Sequence, residues 1–252
     1  MSTLASLPVV EGFIPAANTA GIRQPSAARS ELSPLELSEE VMSHPIPATL
    51  YRIAAAAGCG SAVILLINAA KRAELIPTSA LTQLIAPLAQ ILALALVTAL
   101  YLAFGRRAGT FGLVAFLLNA FALAALVGVE FVINLVFADL PDDTIEALRD
   151  GTLGVALTVA SISFLLGTVA YVAAMLRSRD VPTAPLVLYA VGAVPVSLRA
   201  FVPEAALDLG LVTLAVGIGW LAIWLFNRSS RITIRSTWTS HEKIDAQART
   251  LV

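Results

Sequence analysis

Six long apolar runs, separated by short polar or charged segments, dominate the pattern of hydrophobic and polar positions along the chain. The runs cover 49–70, 81–104, 110–138, 152–176, 183–202 and 207–226. A transmembrane helix needs about 20 apolar residues, because each residue rises about 1.5 Å and the hydrocarbon core is about 30 Å thick. The pattern therefore predicts an all-α fold, an integral membrane bundle of six transmembrane helices over 48–227. The fifth run is the least regular, because Pro185, Pro195 and Arg199 interrupt it.

The overall composition supports a membrane protein and excludes other classes. Of the 252 residues, 58% are hydrophobic and 13% are charged, whereas soluble domains are roughly 45–50% apolar and about 25% charged. So few charges do not cover the apolar surface of a soluble fold, and the same figures exclude collagen-like, disulfide-rich and disordered chains. The net charge of −1 provides no basic surface, so no nucleic-acid partner is predicted.

Residue types that carry catalysis or hold cofactors are sparse. Cys59 is the single cysteine, which excludes an intrachain disulfide and a cysteine metal cluster. The two histidines, His44 and His241, lie outside the apolar runs, and neither a H-E-x-x-H nor a G-x-S-x-G motif occurs. The sequence therefore predicts no cofactor, no metal site and no catalytic residue, and it favours a protein that is not an enzyme.

Both ends of the chain are polar and are predicted to form disordered or weakly helical cytoplasmic tails. In the N-terminal tail, 1–47, Ser33 and Glu36 have the spacing of a capping box. They predict a short amphipathic helix near 34–42, which either docks on a membrane or partner or is only a capped turn. In the C-terminal tail, 228–252, Ser240 is predicted to cap a short helix. A protein partner that binds through these tails is an open alternative.

The distribution of arginine and lysine around the runs predicts the orientation of the chain. One side carries Arg52, Arg106, Arg107, Arg177, Arg179, Arg228, Arg231 and Arg235, and the other carries Lys71, Arg72, Arg149 and Arg199. Because basic residues accumulate on the cytoplasmic side, both termini are predicted to lie in the cytoplasm of a bacterial-type inner (cell) membrane. The lipid-facing anchors predicted to meet anionic head groups are Arg106, Arg107, Arg177, Arg179, Arg228, Arg231 and Arg235.

The third run contains ionisable and amide side chains, which are costly in hydrocarbon and often functional. Asn134 follows Glu130 by four residues, and Asn119 precedes it by eleven. At about 100° per residue, these steps leave offsets of about 40° and 20° from Glu130. The three side chains therefore share one helix face, which is predicted to point into the bundle rather than into lipid.

Polar residues of other runs are predicted to lie at similar depth. Gln83 and Gln90 share a face of the second run because they are seven residues apart. Together with Arg199 as a counter-ion, they suggest an outward-facing polar cavity around Glu130 that binds a cation, a proton or a small polar solute. The alternative interpretation makes Glu130 a buried structural hydrogen-bonding residue, while Arg199 extends to the membrane surface.

Small residues in the first and last runs have the spacing of close helix contacts. Gly58, Gly60 and Ala62 lie in the first run, and Ala215 and Gly219 lie in the last. Small side chains allow two helix backbones to approach within a membrane, so these positions are predicted to be packing sites.

Several short segments resemble uncharacterised bacterial multi-pass membrane proteins of six helices. They are Leu50–Ala54, Leu176–Arg179, Leu188–Gly192 and Gly219–Trp224, and the resemblance covers about residues 51–228. It implies six-helix organisation and transfers no activity, because those proteins have unknown function.

Two functional classes follow from these observations. The first is a non-enzymatic structural or regulatory membrane component that acts through helix packing and its tails. The second is a component of a small-solute, ion or proton transporter that uses the cavity around Glu130.

Overall fold

The computed structural model describes residues 48–199 and 201–249, with side chains described as far as 229. The N-terminal tail, with the helix predicted near 34–42, lies outside these residues, as do the side chains of Arg231 and Arg235. Within the described residues the chain is all-helical and contains no strand.

Eight α-helices occur in the described part of the chain. They are α1 Ala48–Arg72, α2 Ala80–Ile85, α3 Leu88–Ala103, α4 Gly109–Phe131, α5 Asp142–Asp150, α6 Thr152–Ser178, α7 Thr183–Ser197 and α8 Glu204–Arg249. A 3₁₀ turn, Gly105–Ala108, precedes α4, and a π-helical turn, Val132–Val136, follows it. A second 3₁₀ turn, Phe137–Asp139, follows the π-helical turn directly.

Five helical segments of the described chain are long and apolar enough to cross a membrane. They are Ala48–Arg72, Ala80–Ala103, Gly105–Asp139, Thr152–Ser178 and Glu204–Ser229. The prediction of an all-α fold is therefore confirmed for the described residues, and length and apolar composition support five of the six predicted spans. Helix α7 differs from the predicted run 183–202, because its 15 residues rise only about 22 Å. Pro195 lies in its last turn, where a missing amide hydrogen weakens the helix.

The second apolar run is divided between two helices. Helix α2 ends at Ile85 and α3 begins at Leu88, because Pro87 between them has no amide hydrogen to continue the helix. Ser79 and Thr82 begin α2 with a reciprocal cap, in which each hydroxyl oxygen accepts a hydrogen bond from the other residue's amide, at 3.3 and 2.9 Å. The run is therefore helical on both sides of a short break near its start.

The last helix continues past the membrane-type segment into the predicted C-terminal tail. Helix α8 runs without interruption to Arg249, although its long apolar segment ends at Ser229. It passes through Ser240, so a separate helix beginning at that residue is not found. The backbone of 230–249 is therefore a helical extension of the bundle.

Six of the described helices form a closed ring. Going round it, α1 packs against α3, α3 against α4, α4 against α6, α6 against α7, α7 against α8, and α8 returns to α1. The start of α1 lies beside the far part of α8, where Arg52 stands 5.9 Å over the Phe226 ring. The end of α1 lies beside the start of α8, where Arg72 pairs with Glu204. These two helices are therefore antiparallel.

Close approach of α1 to its neighbours depends on the small residues that the spacing identified. A Cβ atom on Gly58 would lie 2.7 Å from Leu96 Cδ2 of α3 and 2.9 Å from Ala222 Cβ of α8. One on Gly219 would lie 3.4 Å from Ala62 Cβ. Packing of α1 against both neighbours therefore agrees with the prediction for these positions.

One end of the ring gathers the predicted basic anchors, and we call it the arginine end. Arg177 stands 5.3 Å over the Phe111 ring, and Arg228 stands 5.3 Å over the Trp224 ring. Arg107 forms an ion pair with Asp180 across two connections. The arginine end comprises Arg52, Arg106, Arg107, Arg177, Arg179 and Arg228.

A buried hydrogen bond joins α6 to α3, and we expect its loss to be measurable. The Tyr171 hydroxyl is inaccessible to solvent and donates to the Val97 carbonyl at 2.9 Å. In Tyr171→Phe the carbonyl loses this donor, so stability in detergent should fall by about 1 kcal/mol. Tyr101→Phe is the matched control, because the Tyr101 hydroxyl forms no hydrogen bond within the described residues. Equal losses in the two variants would contradict a role for the Tyr171 bond.

Candidate functional site

The ring encloses a cavity of about 380 Å³ to which all six of its helices contribute. We call it the central cavity. Its polar lining residues are Ser61, Asn68, Lys71, Arg72, Thr78, Gln83, Gln90, Glu130, Asn134, Tyr189 and Arg199. Thr78 and the lining residue Ala138 are exposed, so the cavity reaches the protein surface at the end of the ring opposite the arginine end.

A row of polar side chains crosses the mouth of the central cavity. Lys71 Nζ donates to Asn134 Oδ1 at 2.7 Å, and Asn134 Nδ2 donates to Glu130 Oε2 at 2.9 Å. Arg199 Nη1 lies 3.9 Å from Glu130 Oε1, which makes a long ion pair. Asn134 and Arg199 therefore contact the Glu130 carboxylate directly, and Lys71 of α1 joins the row through Asn134.

The π-helical turn after α4 positions Asn134 over Glu130. The Phe137 amide donates to the Val132 carbonyl, a step of five residues that widens the helix. Asn134 Nδ2 donates to the Glu130 main-chain carbonyl at 3.0 Å as well as to its carboxylate. This irregular turn holds both side chains toward the cavity, as π-helical turns often do at functional sites.

Arg72 links the end of α1 to the start of α8 beside the same cavity. It forms an ion pair with Glu204, and its Nε lies 3.4 Å from Asp208 Oδ1. The guanidinium side chain is 25% exposed and the Glu204 side chain 81% exposed, so this pair stands at the surface. Pairs of this kind contribute little stability, but this one holds a positive charge at the mouth.

Two amide side chains deeper in the central cavity have no hydrogen-bond partner among the described residues. They belong to Asn68 of α1 and Gln90 of α3, and each residue is only 8% exposed. Asn68 Oδ1 and Gln90 Oε1 are both buried and unbonded. A buried polar group without a partner costs about 1–3 kcal/mol. An occupant of the cavity that donates hydrogen bonds would remove this cost.

Below these amides the cavity is closed by packed and bonded side chains. Ser61 Oγ donates to the Ala89 carbonyl at 2.8 Å, and Tyr189 and the ring of Phe164 are almost fully buried. The floor is therefore part of the hydrophobic core. Among the described lining residues, no row of polar side chains leads from it towards the arginine end.

Asn119, a predicted candidate for the polar cavity together with Glu130 and Asn134, is not among the residues that line the central cavity. It is inaccessible to solvent, accepts from Thr168 Oγ1 at 3.2 Å, and its Nδ2 donates to the Tyr189 hydroxyl at 3.4 Å. Eleven residues of helix separate it from Glu130 by about 16 Å. A shared helix face therefore does not bring the two residues to the same depth, and Asn119 orients Tyr189 instead.

The other predicted candidates, Gln83, Gln90, Glu130, Asn134 and Arg199, all line the cavity. Sequence reasoning missed Lys71 and Arg72 as site residues, because it used them only as charges that set the orientation. Helical spacing could have identified Arg72, because Ser61 and Asn68 share a face of the first run and Arg72, four residues after Asn68, lies on the same face. Lys71 lies three residues after Asn68 and borders the same face.

No group of three or more histidine, cysteine, aspartate or glutamate residues that could hold a metal ion occurs in the described part of the chain. The charged and amide side chains that line the cavity can form hydrogen bonds and ion pairs with a small occupant. Three cations and one carboxylate stand at the mouth of the cavity, and two free amides stand below them.

No protein-family model, curated protein or solved structure matches this chain.

Proposed function

We propose that this chain is a non-enzymatic membrane protein of six crossings that binds a small polar solute in its central cavity, as a component of a transporter. The unpartnered amides of Asn68 and Gln90 carry the proposal, because an evolved core rarely leaves two amides buried and unbonded.

The segment around α7 supports a sixth crossing despite the short helix. Asp180 pairs with Arg107 at the arginine end, whereas Arg199 lies 3.9 Å from Glu130 at the cavity mouth. Helix α7 rises about 22 Å between these two residues. The non-helical residues 180–182 and 198–199 lengthen the segment towards the hydrocarbon thickness of about 30 Å.

The distribution of charge supports an orientation in a bacterial-type inner membrane. Basic residues gather at the arginine end, which we assign to the cytoplasm together with both termini. Anionic head groups would contact the arginines at that end. The cavity mouth, with Lys71, Glu130 and Arg199, then faces the outer side.

The lining indicates what kind of solute fits. A volume of about 380 Å³ accommodates a small metabolite, and the mouth offers both cationic and anionic groups. Asn68 and Gln90 provide directional hydrogen bonds below the charges. We therefore expect a hydrophilic solute with hydrogen-bond donors rather than an apolar molecule.

A structural or regulatory role is the second candidate, and the extension of α8 favours it. The helix continues 20 residues beyond Ser229, to Arg249. A helix of that length outside the membrane-type segment offers a surface to a protein partner. This role does not require the central cavity to be accessible to water.

Thiol labelling distinguishes the two candidates. In a Cys59→Ala background, Gln90→Cys should react with a charged, membrane-impermeant thiol reagent about tenfold faster than Asn119→Cys, because thiol reactivity follows access. Both positions are buried amides, but only Gln90 lines the cavity. Labelling from outside intact spheroplasts, followed by mass spectrometry, measures both rates.

Protection is measured at Ala93→Cys, because Ala93 lines the same cavity and its replacement leaves both amides in place. One class among amino acids, sugars and small carboxylic acids should slow its labelling. Equal, slow labelling of Gln90→Cys and Asn119→Cys would indicate a sealed cavity and favour the structural role. Fast labelling of Ala93→Cys that no solute class slows would contradict solute binding.

A further inference from the structure

A second cavity, of about 450 Å³, lies where the end of the third span meets the first half of α6 and the end of α7. We call it the lateral groove. It shares Arg72 and Arg199 with the central cavity but adds Arg149, Ser161 and Ser197. The two cavities are therefore neighbours that meet at two arginines.

The lateral groove opens onto an apolar surface. Its lining residues Ile162 and Phe201 are 47% and 83% exposed. Ile162 belongs to a stripe of exposed aliphatic side chains along α6 that includes Val155, Val159 and Leu166. Helix α6 also has the least buried apolar segment of the five membrane-type helices in the described chain. A groove that continues into such a surface is exposed to lipid in a bilayer.

The polar part of the lateral groove carries an excess of positive charge. Arg72, Arg149 and Arg199 face a single lining acid, Glu204. Arg149 stands 5.4 Å over the Phe137 ring, and no acid pairs with it among the described residues. An arginine held on an aromatic ring presents its planar donors to a carboxylate or phosphate.

Two buried hydroxyl groups line the same groove. Ser197 is 7% exposed and its Oγ has no hydrogen-bond partner among the described residues, and Ser161 is 8% exposed. A serine hydroxyl donates readily to a phosphate oxygen. The groove therefore combines cations, a buried unpartnered donor and apolar walls at one place.

We propose that the lateral groove binds the head group of an anionic phospholipid. Its phosphate contacts Arg149 and Arg199 and accepts a hydrogen bond from Ser197, while an acyl chain follows the exposed stripe of α6. The arginines stand at or just beyond the ends of α1, α5 and α7, the level at which head groups lie beside membrane helices. The continuous apolar wall favours a lipid over a soluble phosphate.

The test is native mass spectrometry of the delipidated full-length protein. Phosphatidylglycerol should bind about tenfold more tightly than phosphatidylcholine at one site, because only the first carries net negative charge. Arg149→Gln should weaken that site by about tenfold. Arg149 is exposed and lines the groove but not the central cavity, so the variant leaves the proposed solute site intact.

Arg177→Gln is the matched control, because Arg177 stands over Phe111 at 5.3 Å at the opposite end of the ring. It should leave the phosphatidylglycerol site within about twofold of the unchanged protein. Ser161→Leu, which fills the groove, gives a second and independent loss of binding if Arg149→Gln affects folding, as judged by melting temperature in the same detergent.

Three results would overturn the proposal. Equal binding of the two lipids would show that charge is not recognised. A loss in Arg177→Gln, with no change in Arg149→Gln and Ser161→Leu, would assign the lipid to the arginine end. Inorganic phosphate that binds as tightly as the lipid and depends on Arg149 would make the groove a site for a soluble anion.

Discussion

Gly192→Ala is expected to lower the free energy of unfolding by about 2–4 kcal/mol, because the added methyl group overpacks a contact between two helix backbones. A Cβ atom on Gly192 of α7 would lie 2.4 Å from the main-chain nitrogen of Leu214 of α8 and 2.7 Å from its Cα. Backbone atoms do not rotate away as side chains do, so α7 and α8 must separate.

The same interface contains two further glycines in close contact, so a local shift of the helices cannot accommodate the added methyl group. A Cβ on Gly210 would lie 2.3 Å from Pro195 Cγ, and one on Gly217 would lie 2.7 Å from the main-chain nitrogen of Tyr189. The contact is therefore tight along the length of α7. Because Tyr189 and Val196 of α7 line the central cavity, separation of the helices should also enlarge it.

Gly128→Ala is the matched control for this prediction. Gly128 is inside α4, and an added Cβ would meet nothing within 4 Å. Alanine should stabilise the helix there by up to about 1 kcal/mol. Thermal unfolding in detergent measures both variants. A similar change for Gly192→Ala and Gly128→Ala would contradict the close packing of α7 on α8.

Glu130→Gln is expected to lower the free energy of unfolding by about 2–4 kcal/mol, because it removes one member of a mostly buried ion pair. The side chains of Glu130 and Arg199 are 18% and 28% exposed. Without the carboxylate, Arg199 has no acidic partner among the described residues, and Lys71 stands nearby with only its bond to Asn134.

A double-mutant cycle tests whether the loss comes from the pair itself. Glu130→Gln combined with Arg199→Gln should be less destabilised than the sum of the single variants, by about 1–2 kcal/mol. Glu146→Gln removes a carboxylate from the exposed helix α5 and should change stability by less than about 0.5 kcal/mol. Additive effects of the two single variants would show that Glu130 and Arg199 are not coupled.

Much of the helical fold could be predicted from the sequence, with errors where prolines occur. The runs 49–70 and 152–176 became α1, Ala48–Arg72, and α6, Thr152–Ser178, because apolar length is a local property. The run 183–202 became the shorter α7, and the run 81–104 was divided at Pro87. The helix beyond Ser229 was not predicted at its full length, because the last apolar run ends at residue 226 and polar residues predominate after it.

The candidate site was predictable only where its residues are close in the sequence or carry an evident charge. Glu130 and Asn134 are close in the sequence, so helical spacing alone places them together. Arg199 was chosen as a counter-ion from its charge and approximate depth. Lys71 was not recognised, because a lysine at a helix end is typical of the membrane surface and its bond to Asn134 joins residues 63 positions apart.

The sequence by itself determined the class of protein and most of the membrane-type helices. The transfer of each apolar side chain out of water contributes independently, so the sum over about 20 consecutive residues is sufficient to predict such a helix. Only the tertiary structure decided which polar side chains meet. How the six helices fit together decides three features. It sets the depths of Asn119 and Glu130, it brings α8 back against α1, and it leaves the amides of Asn68 and Gln90 without a partner among the described residues. That fit is set by contacts between residues far apart in the chain, which no local pattern contains.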